Sequence, residues 1–336
     1  MKSKIVAIGC LFVALQIVFS SEIPQMMDRF FENFPARDDE KSVRYFDHGT
    51  GGGNADYTWR SGIASRSEPG ISVLALSMDP KDPANPWMGP NMNTPNLCHF
   101  GTYAARLKIP DASDQPDVGA VVGFFTYYND ESRDDLPNDI NENGIHDNSE
   151  IDFEWHIADP RIIYIGAYTD YGLSPETAGT DNPVVVTRQI SRCINLATGE
   201  IYYTKHLDSQ PPGSPGTTLT SMEENYPSCI DPIPGFDASA QFHTYGFDWY
   251  PERIRWWMLH PDTGDTLVLW DYTGPQERIT QKPANLMLNI WHTNNWSVIG
   301  NPNATEPPSD IFTVEFDWVS YTPYNNDDST GGGKVG

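Results

Sequence analysis

An antiparallel all-β sandwich is predicted by three features of this 336-residue chain. Short runs rich in β-branched and aromatic residues recur along it, clusters of Pro, Gly, Asn and Asp separate them, and no long amphipathic helical pattern is present. The runs continue without a break in composition, which argues for a single domain of two packed sheets over residues 42–324.

The strand-like runs follow in order. ISVLALSM (71–78), TYAARLKI (102–109) and AVVGFFTYY (120–128) come first, each dense in residues that suit a pleated, half-buried surface. EIDFEWHI (150–157) alternates acidic and apolar residues, and RIIYIGAY (161–168), PVVVTRQI (183–190) and EIYYTKHL (200–207) follow it. Residues 208–235 are the least strand-like insert, dense in Pro and Ser, and read as a long surface loop. FHTYGFDWY (242–250), RIRWWML (253–259), TLVLWDY (266–272), ANLMLNIWH (284–292) and FTVEFDWVSY (312–321) complete the series.

The ends have a different character. Lys2 and Lys4 precede the apolar run IVAIGCLFVALQIVF, which stops at the small residues Ser20 and Ser21, so residues 1–20 read as a secretory signal peptide. The run is shorter than the roughly 20 residues that span a bilayer, and no membrane association is expected. Residues 21–41 are acidic and aperiodic, residues 325–336 are polar and Gly-rich, and both are expected to be flexible.

Net charge is −25, and −27 once Lys2 and Lys4 leave with the signal. Nucleic acid is therefore excluded as an expected partner, because a phosphate backbone asks for Lys and Arg. The acidity suits a secreted, extracellular protein, and a monomer is expected. Cys10 also leaves, and the odd set Cys98, Cys193 and Cys229 implies one disulfide and one leftover thiol, with Cys193 and Cys229 the favoured pair. No cysteine spacing resembles a zinc site. Asn295-Trp-Ser and Asn303-Ala-Thr are glycosylation sequons.

The carboxylate strand is the most informative stretch. In EIDFEW, the period-2 pattern sends Glu150, Asp152 and Glu154 to one face and Ile151, Phe153 and Trp155 to the other. Three like charges on neighbouring positions of one face repel and gain nothing as structure. The Cα atoms of Glu150 and Glu154 are about 13 Å apart in an extended strand. If each side chain leans some 4 Å toward the other, the carboxyls approach the ~5–5.5 Å separation of a retaining glycosidase. Asp152 between them would raise the proton affinity of both and could orient the nucleophile through a shared hydrogen bond.

SEIDFEW, GFDASAQFHTYGFDWYPERIRWW, ANLMLNIWH and VEFDWVSYTP occur in that order, and together they resemble glycoside hydrolase family 16, the lichenase, laminarinase and xyloglucan-transglycosylase group. The resemblance runs from about residue 70 to 324. It implies a β-jelly roll of two curved antiparallel sheets with an open polysaccharide cleft on the concave face. By the family's E-x-D-x-E motif it assigns Glu150 as nucleophile, Asp152 as assisting carboxylate and Glu154 as acid/base. The motif lacks the extra residue before the last Glu that marks the laminarinase, agarase and carrageenase branches, which places the chain nearer the lichenase and transglycosylase branch.

The same resemblance places Phe125, Tyr127, Tyr168, Asn289 and Trp291 in the cleft, where flat aromatic faces suit pyranose rings. Trp296 is a further candidate to cap it, although a glycan on Asn295 would crowd substrate. His243 falls on a structural strand and reads as a hydrogen-bonded core histidine. There are departures too. Asn91 or Asn93 stands in place of a Glu and an Arg, Gly166 in place of an Asn, and Asn148 in place of a Trp, so mixed-linkage specificity is not inherited.

The stretch DINENGIHDNSE also fits a calcium loop, in which Asp139, Asn141, Asn143, the Ile145 carbonyl and Asp147 would supply oxygens and Gly144 the bend. The strands predicted on both sides exclude an EF-hand, and an ion-free turn suits the same residues. The family resemblance separately implies a structural calcium at Asp317 and the Gly70 carbonyl. No cofactor is required for catalysis. The expected activity is hydrolysis of a β-1,3/1,4-linked glucan by a retaining endo-β-glucanase. The rivals are a xyloglucan-type transglycosylase, a laminarin-type β-1,3-glucanase and a non-catalytic glycan-binding protein.

Overall fold

The computed structural model describes residues 25–48, 59–80, 89–129, 148–173, 185–209, 217–221 and 229–324. Strands are numbered in chain order. One antiparallel sheet contains β1 (Phe30–Glu32), β3 (Trp59–Ala64), β4 (Ser72–Met78), β6 (Gly101–Lys108), β13 (His243–Tyr250), β14 (Arg253–Leu259), β15 (Thr266–Tyr272) and β17 (Phe312–Pro323). Its order is β15-β14-β13-β6-β17-β4-β3, with β1 paired to β17. The other contains β2 (Asp47–His48), β5 (Asn91–Asn93), β7 (Ala120–Asn129), β8 (Asn148–His156), β9 (Ile162–Leu173), β10 (Val185–Asn195), β11 (Ile201–Ser209), β12 (Thr217–Ser221) and β16 (Asn285–His292). It runs β12-β11-β10-β9-β8-β7-β16-β5-β2, which puts the carboxylate strand β8 in the middle.

The inner faces of the two sheets make the core. From β8, Ile151, Phe153 and Trp155 are fully buried. Trp155 meets Tyr245 of β13 edge-on at 4.7 Å between ring centroids, and Phe153 lies 5.8 Å from the same ring. Phe124 of β7 reaches Phe247 at 5.7 Å. Burying a side chain of this kind stabilises by about 1.5–3 kcal/mol. A one-residue slip of β8 would expose all three and push Glu150, Asp152 and Glu154 into the apolar layer, so packing alone fixes which face carries the acids.

The twelve sequence-predicted strands are all present, and the shorter ones were not signalled. β1 lies inside the segment expected to be flexible, where Phe30 and Phe34 are buried and Phe30 stacks on Tyr45 at 4.8 Å. Residues 25–41 are thus held to the sheet edge by apolar anchors too sparse to show a period. β3 is interrupted by a bulge between Ser61 and Ile63, where Gly62 takes φ +71° and breaks the alternation. The stretch read as a loop over 208–235 contains β12, hydrogen-bonded to β11. The signal peptide, the tail 325–336 and the calcium loop 139–147 lie outside the described residues.

The expected Cys193–Cys229 disulfide is not formed, and Cys98, Cys193 and Cys229 are all free thiols. Cys193 is buried on β10, hydrogen-bonded to Tyr164, whereas Cys229 is exposed and bridges the backbone of Glu200.

Candidate active site

The outer face of the nine-stranded sheet is a grid set by strand register. Glu150 lies beside Tyr127 on β7 and Tyr168 on β9, and Tyr168 beside Gln189 on β10. The next row runs Met287, Phe125, Asp152, Gly166, Ser191 and Lys205 across β16, β7, β8, β9, β10 and β11. The third runs Asn91, Asn289, Gly123, Glu154, Tyr164, Cys193 and Tyr203, from β5 to β11. Trp291 falls one row further, opposite Val121. The three acids therefore share one face with Phe125, Tyr127, Tyr168, Asn289 and Trp291.

A cleft of about 270 Å³ opens on the β9–β11 side of the acids, lined by Asp152, Glu154, Tyr164, Tyr168, Gln189, Ser191, Tyr203, Lys205 and Trp296 among others. Trp296 closes one end. It sits edge-on to Tyr164 at 4.8 Å and 6.2 Å from Trp291, while its carbonyl is 3.2 Å from His156 Nε2. Asn295 beside it is exposed.

Gly166 forms the cleft floor. A Cβ there would sit 2.7 Å from the Ile190 carbonyl oxygen, so the close approach of β10 requires glycine at the position where the resemblance expects Asn. Tyr168 accepts a 2.6 Å hydrogen bond from Gln189 Nε2, which leaves its own proton for another acceptor.

Strand β8 is anchored from behind. Trp256 Nε1 donates to the Asp152 carbonyl across the core at 3.1 Å. At its start, Thr280 Oγ1 donates to Ser149 Oγ (2.5 Å), and Ser149 Oγ donates to the Lys282 carbonyl (2.6 Å). These bonds hold the backbone under the acids, so the side chains project from a fixed base.

Burial raises the proton affinity of all three carboxyls. For Glu150 the charge on Glu154 adds to burial, and for Asp152 the charges on both glutamates do. Asp152, in the middle and 5 % exposed, is pushed well above the ordinary carboxylate range. Burial and proximity together thus oppose three full negative charges on this strand. His243 lies in the other sheet, 4 % exposed, with Nε2 3.3 Å from the Asp237 carbonyl and its affinity for a proton lowered by burial. It belongs to the core.

The calcium site expected at Asp317 and Gly70 does not fit. Arg106 Nη1 ion-pairs with Asp317 at 2.6 Å, and Arg106 Nη2 with Glu68, also at 2.6 Å. A guanidinium thus supplies the positive charge where calcium would need six or more oxygens. Among the described residues no three His, Cys, Asp or Glu side chains gather to hold a metal.

Sequence reasoning missed Tyr164, Gln189, Ser191, Tyr203 and Lys205. The available signal was alternation on the strands after the motif, Gln189-Ser191 and Tyr203-Lys205, but it acquires meaning only once register sets those residues beside the acids.

Residues 223–319 match the sequence profile of glycosyl hydrolases family 16. Over 89 residues the chain is 37% identical to a beta-glucanase of Paenibacillus polymyxa, covering 26% of this chain and 32% of that one. A beta-glucanase of Paenibacillus macerans is 35% identical over 91 residues, with the same coverage. The chain thus spans about a third of the length of these curated relatives. The solved structure of a Bacillus licheniformis beta-glucanase shares the fold, with a TM-score of 0.50 and 18% identity over 89% of this chain and 100% of the other. The stretch 223–319 is thus similar to glycosyl hydrolases family 16, and the described chain shares the two-sheet jelly-roll fold of the Bacillus licheniformis beta-glucanase.

Proposed function

We propose that the protein is a secreted retaining endo-β-glucanase that cleaves a β-1,3/1,4-linked glucan with no metal or organic cofactor in the reaction. The observation that carries the reading is the placement of Glu150, Asp152 and Glu154 on one face of a mid-sheet strand, beside an open cleft with aromatic walls.

In this mechanism the Glu150 carboxylate attacks the anomeric carbon while Glu154 gives its proton to the departing glycosidic oxygen, so the C–O bond breaks and a glycosyl ester forms on Glu150. Glu154, now ionised, takes a proton from water, whose oxygen displaces Glu150 and releases the sugar. The raised proton affinity of Glu154 suits an acid that must hold its proton near neutral pH. Asp152, whose proton is held by burial and by the charges on its two neighbours, would donate to Glu150 and so oppose the raised proton affinity that burial and Glu154 give that carboxyl.

Sugar rings would pack against Phe125, Tyr127, Tyr168, Trp291 and Trp296. The side-chain oxygens of Asn91 and Asn289 are buried without a hydrogen-bond partner among the described residues, which suits them to accept sugar hydroxyls. The relatives named beta-glucanase support the substrate class.

Sizing the products from barley glucan, lichenan, laminarin and xyloglucan, with and without excess oligosaccharide acceptor, tests the proposal. Short oligosaccharides from the first two are expected. Products longer than the substrate would instead identify a transglycosylase, cleavage of laminarin alone a β-1,3-glucanase, and no product from any polymer a binding protein.

A further inference from the structure

The cleft continues away from the acids along the row Asp152, Gly166, Ser191, Lys205. Gly166 and Ser191 are small, so this row forms a trough between Tyr168 and Gln189 on one side and Tyr164 and Tyr203 on the other. Lys205 stands at its far end, three strand spacings or roughly 14 Å from Asp152. A glycan crossing the strands through the scissile position would place a sugar a few units away beside this ammonium group.

Among the described residues lining the cleft Lys205 is the one cation, in a chain of net charge −25. Its Nζ lies 3.6 Å from the centroid of the Tyr203 ring, which fixes the head group over the trough. No carboxylate within ion-pair distance of Lys205 is found among the described residues, whereas Arg60, Arg106, Arg161 and Arg253 each have one. A half-buried ammonium held by an aromatic face, with no anion of its own, is a site prepared for an anion brought by the ligand. A trough that received only neutral sugars would gain little from holding a charge there.

We propose that the Lys205 end of the trough binds a negatively charged substituent of the glycan, a sulfate ester or a carboxylate, a few sugar units from the bond cleaved. The inference rests on the hydrolase reading for its direction along the cleft, but it has a binding readout of its own.

The test uses the full chain, one β-1,3/1,4-glucan as the neutral parent, and lightly sulfated and lightly carboxymethylated forms of that same glucan. For the wild type, kcat/KM on a charged form should exceed that on the parent by about five- to tenfold at low salt, a modest factor because Lys205 is partly exposed. The charged arm that leads identifies the group. Lys205→Met should bring the charged-to-parent ratio to one or below, Lys205→Arg should retain part of it, Lys205→Glu should invert it, and added salt should flatten it. A wild-type ratio of one or less, or a ratio that Lys205→Met leaves unchanged, would overturn the proposal.

Binding of charged oligosaccharides to the Glu150→Gln protein, with and without Lys205→Met, separates the two readings. Cleavage of the parent without any charge preference ends this inference and leaves the hydrolase standing. Lys205-dependent binding of charged glycan without cleavage of any polymer by the wild type does the reverse, and neither binding nor cleavage ends both.

Discussion

Glu150→Ala is expected to lower kcat on a cleaved glucan by about 10⁴-fold or more, because a covalent route loses its nucleophile and a methyl group offers no substitute. Glu154→Ala should cost about 10²–10⁴-fold, the usual worth of a positioned general acid, and should spare substrates whose leaving group departs without a proton. The wild-type pH profile should be bell-shaped. Its acid limb follows ionisation of Glu150 and its alkaline limb loss of the Glu154 proton. Burial raises both groups, and the charge on Glu154 raises Glu150 further, so both limbs should lie above the ordinary glutamate range near 4.3. Burial and the charge on Glu154 put Glu150 at about 8, above Glu154 at about 7, the reverse of the order that a nucleophile and an acid need. The bell therefore requires that a hydrogen bond to Glu150 or the bound glucan invert that order; activity then rises with pH as Glu150 becomes charged and falls at higher pH as Glu154 empties. Steady-state kinetics of the two variants across pH checks this, and a Glu154→Ala protein that keeps the alkaline limb would contradict the assignment.

Trp256→Ala should be the most damaging change away from the acids. The indole is fully buried, stacks on Trp270 at 5.1 Å and donates to the Asp152 carbonyl. Emptying such a site costs about 3–5 kcal/mol, or roughly 10 °C in Tm for a domain of this size. Trp256→Phe separates packing from anchoring. It retains most of the apolar volume but removes the N–H, so Tm should fall less while kcat falls more than the lost stability explains, because the strand beneath Asp152 loses its tie to the opposite sheet. Thermal melts paired with kinetics at saturating glucan measure both. An unchanged kcat in Trp256→Phe would reduce the indole to a space-filling role.

The legible parts of the chain were those where local pattern and tertiary demand agree. EIDFEW reads as a strand with an acidic face because Ile151, Phe153 and Trp155 have only one place to go. Asn289, Trp291, Phe125 and Tyr127 were legible only through the family resemblance, and strand register sets them on that same face. Strand order is different information. Nothing local to Lys205 or Gln189 states that β10 and β11 lie beside β9, and so the far half of the cleft stayed hidden.

Arg192 shows the limit from the other side. Alternation puts this cation on the core face of β10, where it is 2 % exposed, stacked on Trp270 and hydrogen-bonded to Thr204 and the Leu269 carbonyl. A polar pattern read alone would send it to solvent. Cys193 and Cys229 fail for the same reason, since their pairing depended on a loop whose path sequence does not specify.

The most direct measurement of the central claim is the anomeric configuration of the first product, followed by proton NMR as a β-linked glucan is cleaved and before mutarotation mixes the anomers. Attack by Glu150 followed by attack of water inverts the anomeric carbon twice, so the account predicts a β-anomer at the new reducing end. An initial α-anomer would mean that water attacks directly, and that Glu150 and Glu154 do not act as nucleophile and acid on the two sides of one bond.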